Sequence, residues 1–268
     1  MLKKRIITAA IILPLLIAAI LAANPWVLLG LLVLTLGLAA REWFGLIPLT
    51  LKRHQLAYLA LMVIGTLICD LAFQYVLFAC FILWAFIIAA ICMYPKSEKA
   101  WGYPWVVMLV GIFLLPLAGY AAAGIYLMPK GQWLLLYVLA LVACSDTGAY
   151  FSGKRLGKHK LIEKVSSGKT IEGAVGGLIL PFILAALTAR YFAPKHMVSW
   201  YVLSMFTVVI SMFGDLFISM LKRRVKLKDT GNVLPGHGGV LDRLDSMIAA
   251  LPFFFAGFYY FCLDVPYV

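Results

Sequence analysis

The stretch QYVLFACFILWAFIIAAICMY, from Gln74 to Tyr94, decides the fold class. Its 21 residues include no charged side chain, as expected of a helix that crosses the hydrocarbon core of a bilayer. Similar apolar runs fill the 268-residue chain, in which 64% of residues are hydrophobic and 13% are charged. A soluble domain averages about a quarter charged residues. We therefore predict an all-α, polytopic integral membrane protein.

The apolar runs predict about nine transmembrane helices. Pro, Gly and charged residues separate them, and the alternating segments of a membrane β-barrel are absent from the sequence. The first run follows LKKR and lacks a small-residue cleavage site before a polar region, so we expect it to be retained. The predicted spans are about 6–23, 26–46, 56–73, 74–94, 104–127, 133–152, 173–193, 199–221 and 246–264.

The net charge of +12 lies mainly on one side of this topology. Twenty of the 23 Lys and Arg residues fall at the amino terminus or in the loops after the second, fourth, sixth and eighth spans. This asymmetry predicts a cytoplasmic amino terminus. Since topology accounts for the charge, we expect contact with membrane lipid and no binding of nucleic acid. The five cysteines lack CxxC spacing and indicate neither a disulfide nor a metal framework.

Two aspartates, Asp146 and Asp215, fall inside predicted spans. A carboxylate at membrane depth costs a few kcal/mol and normally faces a partner or a water-filled cavity. Asp215, Ser219, Lys222 and Arg223 are spaced i, i+4, i+7 and i+8, which places them on one face of the eighth span. A purely structural pairing of either aspartate with a lysine remains an alternative.

The loop LKDTGNVLPGHGGVLDRLDS, from Leu227 to Ser246, concentrates charge, glycine and one histidine between two apolar runs. Asp242 and Asp245 either cap the ninth span or fold back toward Asp215, where two carboxylates could hold Mg²⁺ together with phosphate oxygens and water. Four glycines in TGNVLPGHGGV would let backbone N–H groups approach an anion closely. His237 either contacts phosphate, transfers a proton or is simply solvated.

Two further polar segments are interpreted without a catalytic motif. KRLGKHKLIEKVSSGKTIEGAVGG, from Lys154 to Gly177, ends like a P-loop, but Glu163 stands where that motif requires Gly and no strand is expected before it. We interpret it as a basic segment that binds a polyphosphate through the charge and hydroxyl groups of Ser166, Ser167, Lys169 and Thr170. Gly173 and Gly177 are interpreted as a helix-packing pair. REWFGL is interpreted as a juxtamembrane pair, Arg41 beside Glu42, with interfacial aromatics.

SMLKRRVKLKDTGNVLPGHGGVLDRLD, from Ser219 to Asp245, resembles the signature of the phosphatidate cytidylyltransferase (CDP-diacylglycerol synthase) family. This segment matches the family pattern at every position. The pattern runs S-x-x-K-R, four residues, K-D, a Gly, L-P-x-H-G-G and D-R-x-D. DTGAYF from Asp146 and GKHK from Gly157 are similar to other family segments. SSGKTIEG departs from the family, with Ser167 and Gly168 in place of Pro and Lys.

The resemblance implies that CTP and phosphatidic acid react to give CDP-diacylglycerol and pyrophosphate. It implies Mg²⁺ as cofactor, held by Asp215 and Asp242, with room for a second cation. Asp245 is then a third ligand or supports the other two. Phosphate contacts are expected from Ser219, Lys222 and Arg223, and substrate binding from Lys169, Lys228, His237, Gly238, Gly239 and Arg243.

CTP is cytosolic, so the resemblance implies an active site that faces the cytoplasm, in the plasma membrane or the inner membrane of a cell with two. We predict that residues 1–132 (spans one to five) serve packing and assembly, with a homodimer compatible with this half. Residues 133–268 (spans six to nine) form the catalytic region, with cytoplasmic loops 153–172 and 222–245. The alternative is a membrane transporter with a cytoplasm-facing anion site. It is disfavoured because the ionisable residues crowd toward one face and no internal repeat is visible.

Overall fold

The computed structural model describes residues 2–22, 24–47, 52–233, 236 and 238–261. Over these residues the chain forms a helical bundle with a few short elements. The long helices are α1 (Leu2–Ala22), α2 (Pro25–Gly45), α3 (Lys52–Leu71), α4 (Phe73–Cys92), α6 (Pro104–Leu127), α7 (Gly131–Leu156), α8 (Ile171–Phe192), α9 (Met197–Arg224) and α11 (Met247–Phe261). The short elements are α5 (Glu98–Trp101), β1 (Lys160–Ile162), β2 (Ser166–Thr170) and α10 (Leu241–Leu244).

Six helices, namely α2, α4, α6, α7, α8 and α9, are long and apolar enough to cross a membrane. Two others contain shorter apolar helices, Ala10–Leu21 in α1 and Ala57–Leu71 in α3, and α11 is described over 15 residues. The prediction of a helical, polytopic integral membrane protein is confirmed. The number of nine crossings and the cytoplasmic amino terminus stay predictions.

The predicted basic loops meet at one end of the bundle. Arg224 Nη1 at the end of α9 donates to the carbonyl oxygen of Leu46 after α2, at 3.3 Å. Arg223 Nε donates to the carbonyl oxygen of Val165, between α7 and α8, at 3.3 Å. Arg224 also interacts electrostatically with Glu98, between α4 and α6. The connections after α2, α4, α7 and α9 therefore share one end, here called the basic end.

Helices α7 and α8 form the most extensive helix pair of the bundle, and glycines allow their close approach. A Cβ atom added at Gly148 would lie 2.7 Å from the carbonyl oxygen of Gly176. Gly173 and Gly177 face Ala149 in the same way. Their interpretation as a helix-packing pair is confirmed. This packing also places Asp146 of α7 and Gly173 of α8 around one cavity, where the candidate site lies.

The buried core crosses the predicted division at residue 132. Trp43 of α2 and Trp84 of α4 are fully buried and pack against Phe217 of α9, with ring centroids 6.1 and 5.9 Å away. Trp84 also lies 6.3 Å from the ring of Phe253 in α11. The amino-terminal helices thus support the two helices that flank the loop 222–245. A separate assembly role for residues 1–132 stays a prediction.

A short hairpin between α7 and α8 corrects the all-α prediction. Strands β1 and β2 pair antiparallel, with Lys160 opposite Thr170 and Ile162 opposite Ser166. The expectation that no strand precedes SSGKT was wrong, because β1 precedes it and pairs with SSGKT, which forms β2. Contacts with other parts of the chain stabilise the hairpin. Val165 at its turn is buried, and its carbonyl oxygen accepts the hydrogen bond from Arg223. Such long-range support leaves no local signal in the sequence.

The α7–α8 contact can be tested with Gly148→Ala. The added methyl group meets backbone that cannot rotate away, so we expect a loss of about 1–3 kcal/mol in the free energy of unfolding. Thermal unfolding of the purified protein in detergent measures it. The matched control is Gly30→Ala in α2, where no atom lies within 4 Å of the added Cβ. Equal unfolding temperatures for the two variants would contradict the close packing.

Candidate active site

A cavity of about 380 Å³ lies between α7, α8, α9 and the hairpin at the basic end. Its polar lining includes Asp146 from α7, Lys169 from β2 and Asp215 from α9. Ser145 lines it as well, and its buried hydroxyl has no hydrogen-bond partner among the described residues. A buried hydroxyl without a partner is costly. The cavity is therefore suited to a ligand that carries polar oxygen atoms.

Asp215 is the centre of the polar contacts in this cavity. Its Oδ2 forms an ion pair with Lys169 Nζ at 2.5 Å, and its Oδ1 accepts a hydrogen bond from Ser219 Oγ at 3.3 Å. The structure thus brings together two residues that sequence spacing had placed on one helix face, Asp215 and Ser219. It adds Lys169 from a segment about fifty residues earlier in the chain.

Asp245 approaches Asp215 because α9 has a glycine at the crossing. A Cβ atom at Gly214 would lie 2.6 Å from the carbonyl oxygen of Asp245, so a larger residue would separate the two chain segments. Asp245 and Asp146 each interact electrostatically with Asp215. Burial, followed by the negative charge of Asp215, raises the pKa of the Asp245 carboxyl to about 7. A bound cation would relieve this repulsion.

Asp242 is bound by a lysine and by backbone groups of the chain itself. It is buried, its Oδ1 accepts from Lys222 Nζ at 2.7 Å, and its Oδ2 accepts from the N–H groups of Thr230 at 2.8 Å and Gly239 at 3.0 Å. Burial alone would raise its pKa, but these hydrogen bonds outweigh burial and lower the pKa below its ordinary value. Asp242 therefore remains charged at neutral pH. It also joins α9 to the glycine loop, defined here by its described residues 228–233, 236 and 238–240.

The interpretation of Glu42 as half of a juxtamembrane pair with Arg41 is wrong. Its side chain is buried rather than juxtamembrane, and its carboxylate accepts hydrogen bonds from the N–H groups of Val240 at 3.0 Å and Leu241 at 2.8 Å. It also accepts from Thr230 Oγ1 at 3.1 Å. The sequence did contain a signal that Glu42 is buried and hydrogen-bonded. Glu42 lies inside the predicted span 26–46, and an ionisable residue within a span needs a partner.

The glycines of the loop surround these internal carboxylates. A Cβ atom at Gly231 or Gly239 would collide with the Glu42 carboxylate. Gly238 has a φ of 81°, which favours glycine, and lies against Asp242. The glycines do allow close approach to anions, as expected, but the anions here are side chains of the protein itself. His237 lies outside the described residues, so its predicted role stays a prediction.

The remaining predicted residues lie around the same end. Arg223 turns toward Val165 of the hairpin, whereas Lys222 binds Asp242. Lys228 is exposed. Arg243 is exposed and interacts electrostatically with Asp146. The structure therefore gathers most of the predicted set within one region, but divides it between the cavity and the glycine loop.

Comparison with known proteins identifies the family. A sequence model of the cytidylyltransferase family matches residues 3–261. The chain belongs to this family. The resemblance seen in the sequence is thereby confirmed, and it extends beyond the carboxyl-terminal motifs to nearly the whole of this cytidylyltransferase.

Bacterial proteins named phosphatidate cytidylyltransferase are similar to this chain. The protein of Pseudomonas aeruginosa is 36% identical over 262 residues, which are 96% of each chain. The protein of Haemophilus influenzae is 41% identical over 196 residues, 67% of this chain and 66% of that one. The protein of Staphylococcus epidermidis is 47% identical over 126 residues, 46% of this chain and 48% of that one.

The raised pKa of Asp245 predicts a pH dependence of stability. Between its ordinary value and about 7, the folded cytidylyltransferase keeps a proton that the unfolded chain releases. This contribution is present at acidic pH and is lost as the pH rises through the folded-state pKa. In EDTA, the unfolding temperature should therefore fall as the pH rises from about 4.5 to about 7 and level off above that, and Asp245→Asn should flatten the fall. Glu163→Gln, at an exposed position, should leave it unchanged. An equal slope in Asp245→Asn would overturn the assignment.

Proposed function

We propose that the protein is a phosphatidate cytidylyltransferase, which converts CTP and phosphatidic acid into CDP-diacylglycerol and pyrophosphate in phospholipid biosynthesis. The observation that carries this proposal is the 36% identity to the phosphatidate cytidylyltransferase of Pseudomonas aeruginosa over 96% of both chains. The cavity at the basic end supports it, because carboxylates and a lysine line a pocket in a membrane-embedded bundle. Family membership argues against the transporter alternative.

The proposed reaction forms one phosphorus–oxygen bond and breaks another. An oxygen of the lipid phosphate attacks the α-phosphorus of CTP, and the bond to the β-phosphate breaks, so that pyrophosphate leaves. The attacking oxygen is already anionic near neutral pH, and no side chain has to remove a proton from it. The harder task is to bring two polyanions together, which calls for cations around the α-phosphate.

The contacts of the chain support distinct roles for its basic residues. Lys169 lies in the cavity, where it can exchange its ion pair with Asp215 for a phosphate oxygen. Lys222 and Arg223 are bound to Asp242 and to the hairpin, which supports a positioning role for both. Substrate contacts from Lys228, Gly238 and Arg243 remain part of the proposal.

Mg²⁺ is the proposed cofactor, with a second cation left open. Asp215, with Asp146 and Asp245 nearby and the Ser219 hydroxyl, offers the hard oxygen donors that Mg²⁺ prefers. Over the described part of the chain, no three acidic, His or Cys side chains converge closely enough to hold an ion alone. This fits a cation that takes most ligands from phosphate and water. When bound, the ion would neutralise charge on the phosphates. Asp242 would have to leave Lys222 to join it.

We further propose that the basic end faces the cytoplasm, in the plasma membrane or in the inner membrane of a cell with two. The asymmetry of 20 of 23 basic residues and the supply of CTP from the cytosol support this orientation. Nine crossings and a homodimer through residues 1–132 belong to the same proposal. Phosphatidic acid would then enter the cavity from the cytoplasmic leaflet.

Asp215→Asn tests the reaction and the site together. We expect it to reduce pyrophosphate release from CTP, phosphatidic acid and Mg²⁺ by about 100-fold or more, because the amide cannot bind a cation as the carboxylate does. EDTA should abolish release by the wild-type protein. Glu163→Gln serves as the control with an exposed carboxylate. Full activity of a folded Asp215→Asn variant would overturn the metal assignment, and no activity of the folded wild type would overturn the reaction.

The orientation can be tested by cysteine labelling in a background that lacks the native cysteines. Lys164→Cys lies in the hairpin at the basic end, and Lys195→Cys lies between α8 and α9 at the opposite end. A membrane-impermeant maleimide should label position 195 in intact spheroplasts and position 164 only after permeabilisation. The reverse pattern would refute the cytoplasmic orientation.

A further inference from the structure

We propose that Glu42 is a positioning residue of the active site, which holds the glycine loop in place from the opposite half of the chain. The inference rests on the proposed function for its catalytic consequence. Its structural part, the immobilisation of the loop by one buried carboxylate, stands independently of the reaction. Glu42 would touch neither substrate, and would act through the loop and Asp242.

The Glu42 carboxylate joins the two ends of the glycine loop. Its Oε1 accepts from Val240 N–H, and its Oε2 accepts from Leu241 N–H and from Thr230 Oγ1. Thr230 stands near the start of the loop, and the two amides stand at its end. Glu42 is only 7% exposed, so water cannot replace it freely as the acceptor for these donors.

A second carboxylate binds the same two ends from the other side. Asp242 Oδ2 accepts from the N–H groups of Thr230 and Gly239, and its Oδ1 accepts from Lys222 on α9. Thr230 thus donates its N–H group to Asp242 and its hydroxyl to Glu42. A continuous series of hydrogen bonds leads from α2 through the loop to α9, the helix that carries Asp215 of the cavity.

The sequence of the loop is shaped around Glu42. Gly231 and Gly239 both lie where a side chain would collide with its carboxylate, and neither is among the glycines with positive φ. Backbone conformation therefore does not account for glycine at these two positions. The space occupied by the Glu42 carboxylate does, which indicates that the loop is built to receive this side chain.

Only a carboxylate satisfies all three donors. In Glu42→Gln, either orientation of the side-chain amide presents its NH₂ group to one of the two backbone N–H donors, Val240 or Leu241. One buried donor is then left without an acceptor. We expect the loop to open more often while the helices stay packed. Since the size of the side chain is unchanged, a loss of packing would not explain the effect.

Hydrogen exchange of the full-length protein in detergent micelles, followed by mass spectrometry of peptides that contain residues 240 and 241, tests the inference. We expect exchange of these amides to be at least about tenfold faster in Glu42→Gln than in the wild type, with the unfolding temperature close to that of Glu163→Gln. The value of kcat/KM for CTP should fall by about tenfold or more. Glu42→Asp keeps the charge but is shorter, so it should restore part of both properties.

A second variant keeps the inference testable if Glu42→Gln misfolds. Gly231→Ala leaves Glu42 intact but pushes a methyl group into its carboxylate, and should raise exchange at residues 240 and 241 in the same way. If the amides of residues 240 and 241 exchange at the wild-type rate in both variants, the inference is overturned. Faster exchange with unchanged turnover would overturn the positioning role. The wild-type protein could also show no cytidylyl transfer while exchange is still faster in both variants. That result would support the loop contact and refute the proposed function.

Discussion

A carboxylate inside an apolar helix bundle, whether buried or half-buried, must be surrounded by hydrogen-bond donors or cations, and this requirement organises the basic end of the protein. Asp215, Asp242 and Glu42 meet it in three ways. Asp215 binds the ammonium group of Lys169 across the cavity, Asp242 binds both a lysine and backbone N–H groups, and Glu42 uses two backbone N–H groups and a hydroxyl. The hairpin and the glycine loop, which contain no long helix of their own, are positioned by these contacts.

Local patterns predicted the helical part of this architecture well. Apolar runs located the long helices, the i, i+4 spacing placed Asp215 beside Ser219, and a small-residue pair indicated the α7–α8 contact. Each of these features depends on residues within a few turns of one another, so it leaves a periodic trace in the sequence. The family motif then pointed to the region in which the polar side chains meet.

Features set by distant partners were not predictable in the same way. The hairpin depends on Arg223, whose hydrogen bond reaches Val165 across 58 positions of the chain. The interpretation of Glu42 as a juxtamembrane residue failed because its partners lie almost 200 positions away. For Asp242 the sequence offered cation binding or helix capping, but it did not indicate the contacts with Lys222 and the loop amides. A single sequence shows residue types at such sites but not which of them meet.

The contact between Glu42 and the glycine loop constrains how the family can diversify. A side chain at position 231 or 239 displaces the carboxylate at position 42 unless that acid becomes shorter, and a replacement at 42 leaves loop amides that need a new acceptor. A change at one of these three positions is therefore best tolerated together with a change at another, although they belong to opposite halves of the polypeptide. A chimaera that combines the amino-terminal helices of one relative with the loop of another should inherit both partners from the same parent.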